Sequence, residues 1–252
     1  MRRLARSLFV TILGAFALLT LSVPAAAVAA APLGQPAGSV PGGVDDFSFD
    51  SMHSDFVLSR SADGHSALTT TETIVARFPD FDQNHGIRRS IPSHYDGHPT
   101  GIDLVSVTDE NGAPRPSDTS ESDAGDFFIV TSAADGYVHG AQTYVITYTQ
   151  RDVTLVPTDA QDEEFYWEVN GTGWAQPFGS VSATLTVDPE LTGRLTGQAR
   201  CLQGSTNSSA DCSEISTDSS AAATTGTRIS ASSGSLAAHE GLTLVVGFTP
   251  GT

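Results

Sequence analysis

Twelve consecutive residues, Glu163 to Trp174, hold both tryptophans of the 252-residue chain together with Tyr166 and three carboxylates. That density would suit a sugar site, where aromatic faces stack on pyranose rings and carboxylates accept from hydroxyls or divide glycosidic acid and base work. No carboxylate separation is fixed by the sequence, so hydrolysis gains no support. The competing reading makes Tyr166 and Trp174 the cap of an apolar core, with Asn170 to Gly173 as the turn that brings Trp174 back onto it. Strand alternation puts Glu164, Tyr166 and Glu168 on one face and Phe165, Trp167 and Val169 on the other, so the two faces need not share a role.

A second cluster, Asp80, Asp82 and Asn84, offers oxygen ligands at the first, third and fifth places of a calcium-loop pattern. The sixth place is His85 where a glycine is required, and the twelfth is Ile91 where a bidentate Glu is required, which excludes an EF-hand. A nonstandard calcium loop and a plain Asx-rich turn both stay open. His85, His94 and His98, with Asp96, have the chemistry of a zinc or copper site but sit around the loop residues Tyr95, Gly97 and Pro99. No G-x-S-x-G elbow, phosphate-cradling glycine loop or dinucleotide fingerprint is present, so no enzyme class is indicated and no cofactor is expected beyond the open calcium question.

The chain begins with Arg2, Arg3 and Arg6, then an apolar run from Leu8 to Leu21 and several Ala-x-Ala sites up to Ala31, the pattern of a secretory signal over residues 1–31. The run is shorter than the roughly 20 apolar residues a bilayer span needs, so cleavage is favoured over an uncleaved anchor. The expected destination is the extracytoplasmic face of the cell membrane, or the exterior if the chain is complete. With the signal removed, nine basic residues face 29 acidic ones and there is no lysine. Phosphate binding needs clustered cations, so nucleic acid is excluded as a partner, and an anionic membrane surface would repel the domain.

In an oxidising compartment Cys201 and Cys212, flanking a Gly/Ser/Asn/Asp-rich segment, point to a local disulfide that closes a polar excursion. A two-thiolate metal site lacks a nearby histidine.

Positions 32–46, with three Pro and four Gly, read as a flexible linker. Order is expected from Phe47 onward, in one domain over residues 47–252. Extended runs at 53–60 and 66–78 flank Asp63-Gly64, a dipeptide suited to a turn with two positive φ angles. In the second run Leu68, Ile74 and Phe78 share a face with Glu72, which therefore needs a buried partner or a place at the sheet margin. Further strands are legible at 102–108, 127–131, 143–149, 181–187 and 242–248, rich in β-branched and aromatic residues. The Gly/Ser/Thr-rich stretch 204–234 reads as a break, and the acidic stretch 117–126 as a solvated, mobile loop. Many short strands with frequent turns and no sustained helical periodicity predict an all-β fold, an antiparallel β-sandwich preceded by an N-terminal signal helix.

Taken in order, Asp63-Gly64, Glu72-Thr73-Ile74, Phe78, His85-Gly86-Ile87-Arg88-Arg89-Ser90-Ile91-Pro92, Tyr144-Val145-Ile146-Thr147-Tyr148 and Glu164 to Trp174 resemble the extracytoplasmic domain of the YciQ-like predicted membrane proteins. The resemblance covers residues 55 to 250. It implies an architecture and a membrane tether, and no reaction. Members of that family continue from the last strand into transmembrane helices, so a chain ending at Thr252 is expected to be truncated before a span.

Arg89 matches the family's Arg, and it is expected to pair with Glu72 or Glu164 in a partly buried ion pair. Such a pair either staples residues 79–101 onto the sandwich or floors a ligand groove drawn from Glu72, His85, Arg89, Glu164, Tyr166, Trp167 and Trp174. The expected function is a non-enzymatic binding or sensory domain that recognises an envelope component or a neighbouring protein. The alternatives are a structural or assembly module of the envelope, and a secreted calcium- or carbohydrate-binding protein.

Overall fold

The structure, a computed structural model, describes residues 43–157 and 161–252. The signal at 1–31 and the linker up to residue 42 lie outside the described residues. The chain runs through β1 (Ser48–Arg60), β2 (Ser66–Phe78), β3 (Gly86–Pro92), β4 (His94–Tyr95), β5 (His98–Pro99), β6 (Asp103–Thr108), β7 (Asp118–Glu121) and β8 (Phe127–Ala133). It continues through β9 (Gly140–Arg151), β10 (Glu163–Glu168), β11 (Val181–Val187), β12 (Leu195–Gly204), β13 (Ala210–Asp211), β14 (Glu214–Asp218), β15 (Thr227–Ser233) and β16 (Gly241–Phe248). Among the described residues only a 3-10 turn at Thr192–Arg194 and a four-residue helix at Ala222–Thr225 interrupt the strands.

One layer is a seven-stranded sheet in the order β14-β15-β11-β1-β2-β9-β6. A four-stranded sheet, β10-β16-β12-β13, and a three-stranded sheet, β3-β8-β7, lie over it. Phe56 on β1 meets Phe165 and Trp167 on β10 edge to face, with centroids 5.9 and 6.4 Å apart, which fixes the four-stranded sheet against the large one. Alternation decides which side chains enter this interlayer: β2 turns Leu68, Thr70, Glu72, Ile74, Ala76 and Phe78 inward, all buried. A bulge between Phe49 and Ser51 shifts the phase of β1, so Phe49 and Met52 both face the core although they are three residues apart.

The all-β antiparallel sandwich holds, with one exception in its ladders: β1 and β11 pair in parallel, Met52 opposite Val181 through Leu58 opposite Val187. Several expected details are corrected. Asp63-Gly64 sits in a five-residue loop closed by Ser61 and His65, and only Gly64 has a positive φ, at 92°, as in a turn followed by a glycine bulge. The two-residue turn with both φ positive occurs at Asp96 (45°) and Gly97 (79°), between β4 and β5, where the sequence suggested a loop. Residues 86–92 are a strand, not part of a loop. The acidic stretch 117–126 contains β7, an exposed edge strand paired to β8. Within 204–234, β15 is internal to the large sheet; its inward residues Thr227, Ile229, Ala231 and Ser233 are mostly small, which hid it from a hydrophobicity reading. Positions 43–46, expected within the linker, lie against the domain: Gln83, Asn84 and Gln176 donate to the carbonyls of Gly43, Val44 and Asp45.

Cys201 on β12 and Cys212 just after β13 form a disulfide with Cα atoms 5.4 Å apart. It clamps the short β12–β13 hairpin. Replacing both cysteines by serine should remove about 3 kcal/mol by the chain-entropy relation, read as a lower midpoint of denaturant unfolding. An unchanged midpoint would mean that strand pairing alone holds this excursion.

Candidate functional site

Arg89 lies between Ile87 and Ile91 on the inward face of β3, and its side chain is 3 % exposed while that of Glu72 is fully buried. An arginine at this place in an apolar stripe would be destabilising unless every donor found an acceptor. Each of its donors does. Nε donates to Glu72 Oε2 at 2.9 Å and Nη2 to Glu72 Oε1 at 2.7 Å, a bidentate fork. Nη2 also donates to the Val169 carbonyl at 3.1 Å, and Nη1 donates to the carbonyls of Ser90 at 3.1 Å and Asn170 at 2.8 Å. The Tyr148 hydroxyl, reaching across from β9, donates to Glu72 Oε1 at 2.9 Å.

One guanidinium therefore touches three pieces of the fold: β2 through Glu72, β3 through Ser90, and the exit of β10 through Val169 and Asn170. It ties the two smaller sheets to each other and to the large one. Burial, the largest single effect, lowers the basicity of Arg89, but the Glu72 charge, its hydrogen bonds and Tyr148 together outweigh it and the guanidinium is held above its ordinary value. Burial, then the Glu72 charge, push the Tyr148 phenol well above its ordinary value.

Asn170, fully buried, is the second hub. Its carbonyl also accepts from Trp174 Nε1 at 2.8 Å, its Oδ1 accepts from the Leu242 backbone N–H at 2.9 Å, and its Nδ2 donates to the Glu240 carbonyl at 3.0 Å. These bonds tie the turn after β10 to the start of β16 and set Trp174 edge-on against Phe49, centroids 4.7 Å apart. Above them lies a groove of about 300 Å³. Arg89 and Asn170 form its floor, and Arg88, Ser90, Phe127, Glu168, Thr172 and Trp174 line it.

The residues named from the sequence divide. Glu72, Arg89 and Trp174 meet at this place. Trp167 is core, 5 % exposed and stacked on Phe165. Tyr166 faces outward and is 38 % exposed, so it does not cap the core, whereas Trp174 partly does. Glu164 is also on the outer face of β10; its backbone bridges to Leu155 and its charge raises the pKa of Tyr95, after burial. Arg89 pairs with Glu72, not Glu164. His85 is away from the pair, its ring tilted by 38° against that of Tyr137 and hydrogen-bonded to the Ala134 carbonyl. Asp82 contacts His139 at 3.2 Å and Asn84 anchors Val44, while His94 and His98 sit on opposite arms of the β4–β5 hairpin, out of register with each other. Among the described residues no three His, Cys, Asp or Glu side chains converge as metal ligands would.

Tyr148 and Asn170 are site residues that no sequence motif marks as such. The alternation of Tyr144, Ile146 and Tyr148 signals an inward face, but reaching Glu72 depends on the register that sets Thr70 opposite Tyr148 across some 75 residues of chain.

Fold and site together define a β-sandwich domain braced by a buried Arg–Glu pair, with a groove at the seam between its two smaller sheets. The chain belongs to the family described as "Predicted membrane protein (DUF2207) N-terminal domain", which matches residues 55–248. Among the described residues no helix is long and apolar enough to cross a membrane. No curated protein matches. Among solved structures the chain is similar to an M1 zinc metallopeptidase from Deinococcus radiodurans, at 9 % identity and TM-score 0.44, over 80 % of this chain and 42 % of that one. It is also similar to a putative protease from Parabacteroides distasonis, at 10 % and 0.44 over 83 % and 41 %, and to yeast LTA4 hydrolase, at 8 % and 0.46 over 85 % and 32 %. The chain spans less than half the length of these proteins, and no residue role is carried over from them.

Proposed function

We propose that this chain is an extracytoplasmic, non-enzymatic binding or sensory domain of a membrane protein, and that the groove over Arg89 and Asn170 is where it engages an envelope component or a neighbouring protein. The observation that carries this reading is a groove whose floor is buried and fully hydrogen-bonded. Arg89 has no donor left for a ligand, so it fixes the shape of the site while Arg88, Glu168, Thr172 and Trp174 supply the contacts. The volume is at the small end of the roughly 300–1,000 Å³ typical of ligand sites. Among the described residues Glu168 is the single carboxylate lining it, with no histidine or second acid in the lining to form an acid–base pair. Family membership supplies the membrane context, and the signal-like N-terminus supplies the side of the membrane.

Trp174 provides a direct readout, because the other tryptophan, Trp167, is buried in the core. Titrating the full chain with cellotetraose, chitotetraose and blocked heptapeptides should change tryptophan emission for one of these classes, and the change should vanish in Trp174→Phe. A full panel with no change in emission and no shift in melting temperature would remove the binding reading and leave the structural or assembly role.

A further inference from the structure

The three larger sheets have six edges: β14 and β6, β10 and β13, β3 and β7. Exposed strand edges invite pairing with foreign chains, and charged side chains along them discourage it. Five of the six carry carboxylates: Glu214 and Asp218 on β14, Asp103 on β6, Glu163, Glu164 and Glu168 on β10, Asp211 on β13, and Asp118 and Glu121 on β7. The edge of β3, Gly-Ile-Arg-Arg-Ser-Ile-Pro, carries none. In a chain with a net charge of −17, that exception is local and chemical.

The N–H of Ser93 donates to Asp126 and the N–H of Ala134 to His85, both in the β3–β8 register, so odd-numbered residues of β3 point their backbone groups at β8. The even-numbered residues, Gly86, Arg88, Ser90 and Pro92, point theirs at the open side, where the groove lies. The Ser90 carbonyl is taken by Arg89 and the Pro92 carbonyl by Gln150. The N–H and carbonyl of Arg88 and the N–H of Ser90 are left facing the groove, and Pro92, lacking an N–H, ends the edge. The Arg88 side chain makes no hydrogen bond or ion pair among the described residues. Phe127, 42 % exposed, and Trp174 add apolar surface to the same groove.

We infer that this groove takes an extended polypeptide segment, which adds as a strand to the open edge of β3, places a carboxylate on Arg88 and sets an apolar side chain between Phe127 and Trp174. The inference rests on the proposed binding role and specifies its ligand class. Main-chain bonds to Arg88 and Ser90 supply the affinity common to all strand additions, and the side-chain contacts, at alternate ligand positions, supply the selection. A second copy of this chain is a poorer occupant, since antiparallel β3–β3 pairing would bring Arg88 close to its own symmetry mate.

The test uses the full chain and blocked heptapeptides of alternating Val, Thr and Leu, with Asp placed at each position in turn, read by Trp174 emission. At least one peptide should bind. N-methylation at alternate amides of that peptide should weaken it about tenfold or more while methylation at the intervening amides does not, as the loss of main-chain bonds requires. Arg88→Glu should weaken the same peptide by a similar factor without lowering the melting temperature. Tolerance of N-methylation everywhere, or indifference to Arg88→Glu, would overturn strand addition. Binding of cellotetraose or chitotetraose but no peptide would overturn it while the groove's binding role survives; binding of nothing would remove both. Dimerisation in sedimentation that Arg88→Glu abolishes would make a second copy the occupant and overturn the peptide assignment.

Discussion

Glu72→Gln is expected to destabilise the domain by roughly 3–5 kcal/mol, because it leaves the Arg89 charge buried without its counter-ion. For a domain of this size that is a fall in melting temperature of roughly 10 °C. Arg89→Ala should do comparable damage by the opposite route, leaving the buried Glu72 carboxylate without its cation and the Val169 carbonyl without its donor, and taking one of two donors from the Asn170 carbonyl. The informative variant is the double one, Glu72→Leu with Arg89→Met. Where a buried pair interacts only with itself, apolar replacement can restore stability. Here the guanidinium also serves three backbone carbonyls and Glu72 serves Tyr148, and each group left without a partner costs about 1–3 kcal/mol. The double variant should therefore stay clearly below the parent in urea unfolding. A double variant as stable as the parent would show that the sheets hold together without this junction.

Alkaline pH is the second strong lever. Tyr148 is fully buried, and burial followed by the neighbouring Glu72 charge raise its pKa far above the ordinary 10.0. The folded protein keeps the phenol proton where the unfolded chain releases it. The associated stability is fully present below pH 10 and falls as pH rises beyond it, by about 1.4 kcal/mol per pH unit for this one group. Tyr144, Tyr95 and Tyr166 shift in the same direction, burial being the first cause for each, and steepen the decline. Denaturant unfolding at several pH values from 9 to 12 should show the loss, and Tyr148→Phe should flatten it by about one proton. A Tyr148→Phe curve parallel to the parent's would mean that this hydroxyl is not sealed in the interlayer.

Long β-branched strands were plain in the sequence. The run at 181–187 is β11 to the residue, and the inward face of β2, Glu72 included, follows from period two alone. What could not be read was anything set by register between distant strands, such as the Tyr148 bond to Glu72, or by turns whose type depends on loop length. Asp63-Gly64 and Asp96-Gly97 are the same dipeptide; the five-residue loop at the first needs one positive φ, and the two-residue loop at the second needs two. Strands with small inward residues, such as β15, were also missed, because their burial comes from neighbours rather than from their own hydrophobicity. At the site, the family resemblance marks Arg89 and the apolar face marks Glu72, but the sequence leaves Glu72 and Glu164 both open as partners; the structure pairs Arg89 with Glu72. The role of Asn170 was concealed by its resemblance to an ordinary turn residue, and only the backbone atoms it serves reveal it.

The parallel ladder between β1 and β11 has a consequence for how the molecule comes into being. The first strand of the domain lies in the middle of the widest layer, and its second neighbour, β11, follows some 130 positions later. A chain emerging N-terminus first cannot give β1 its second neighbour until residue 187 is free, nor complete that layer until β15 has emerged. Such a topology adds pairings between distant parts of the chain, and non-local contacts of this kind slow folding relative to hairpins between neighbouring strands.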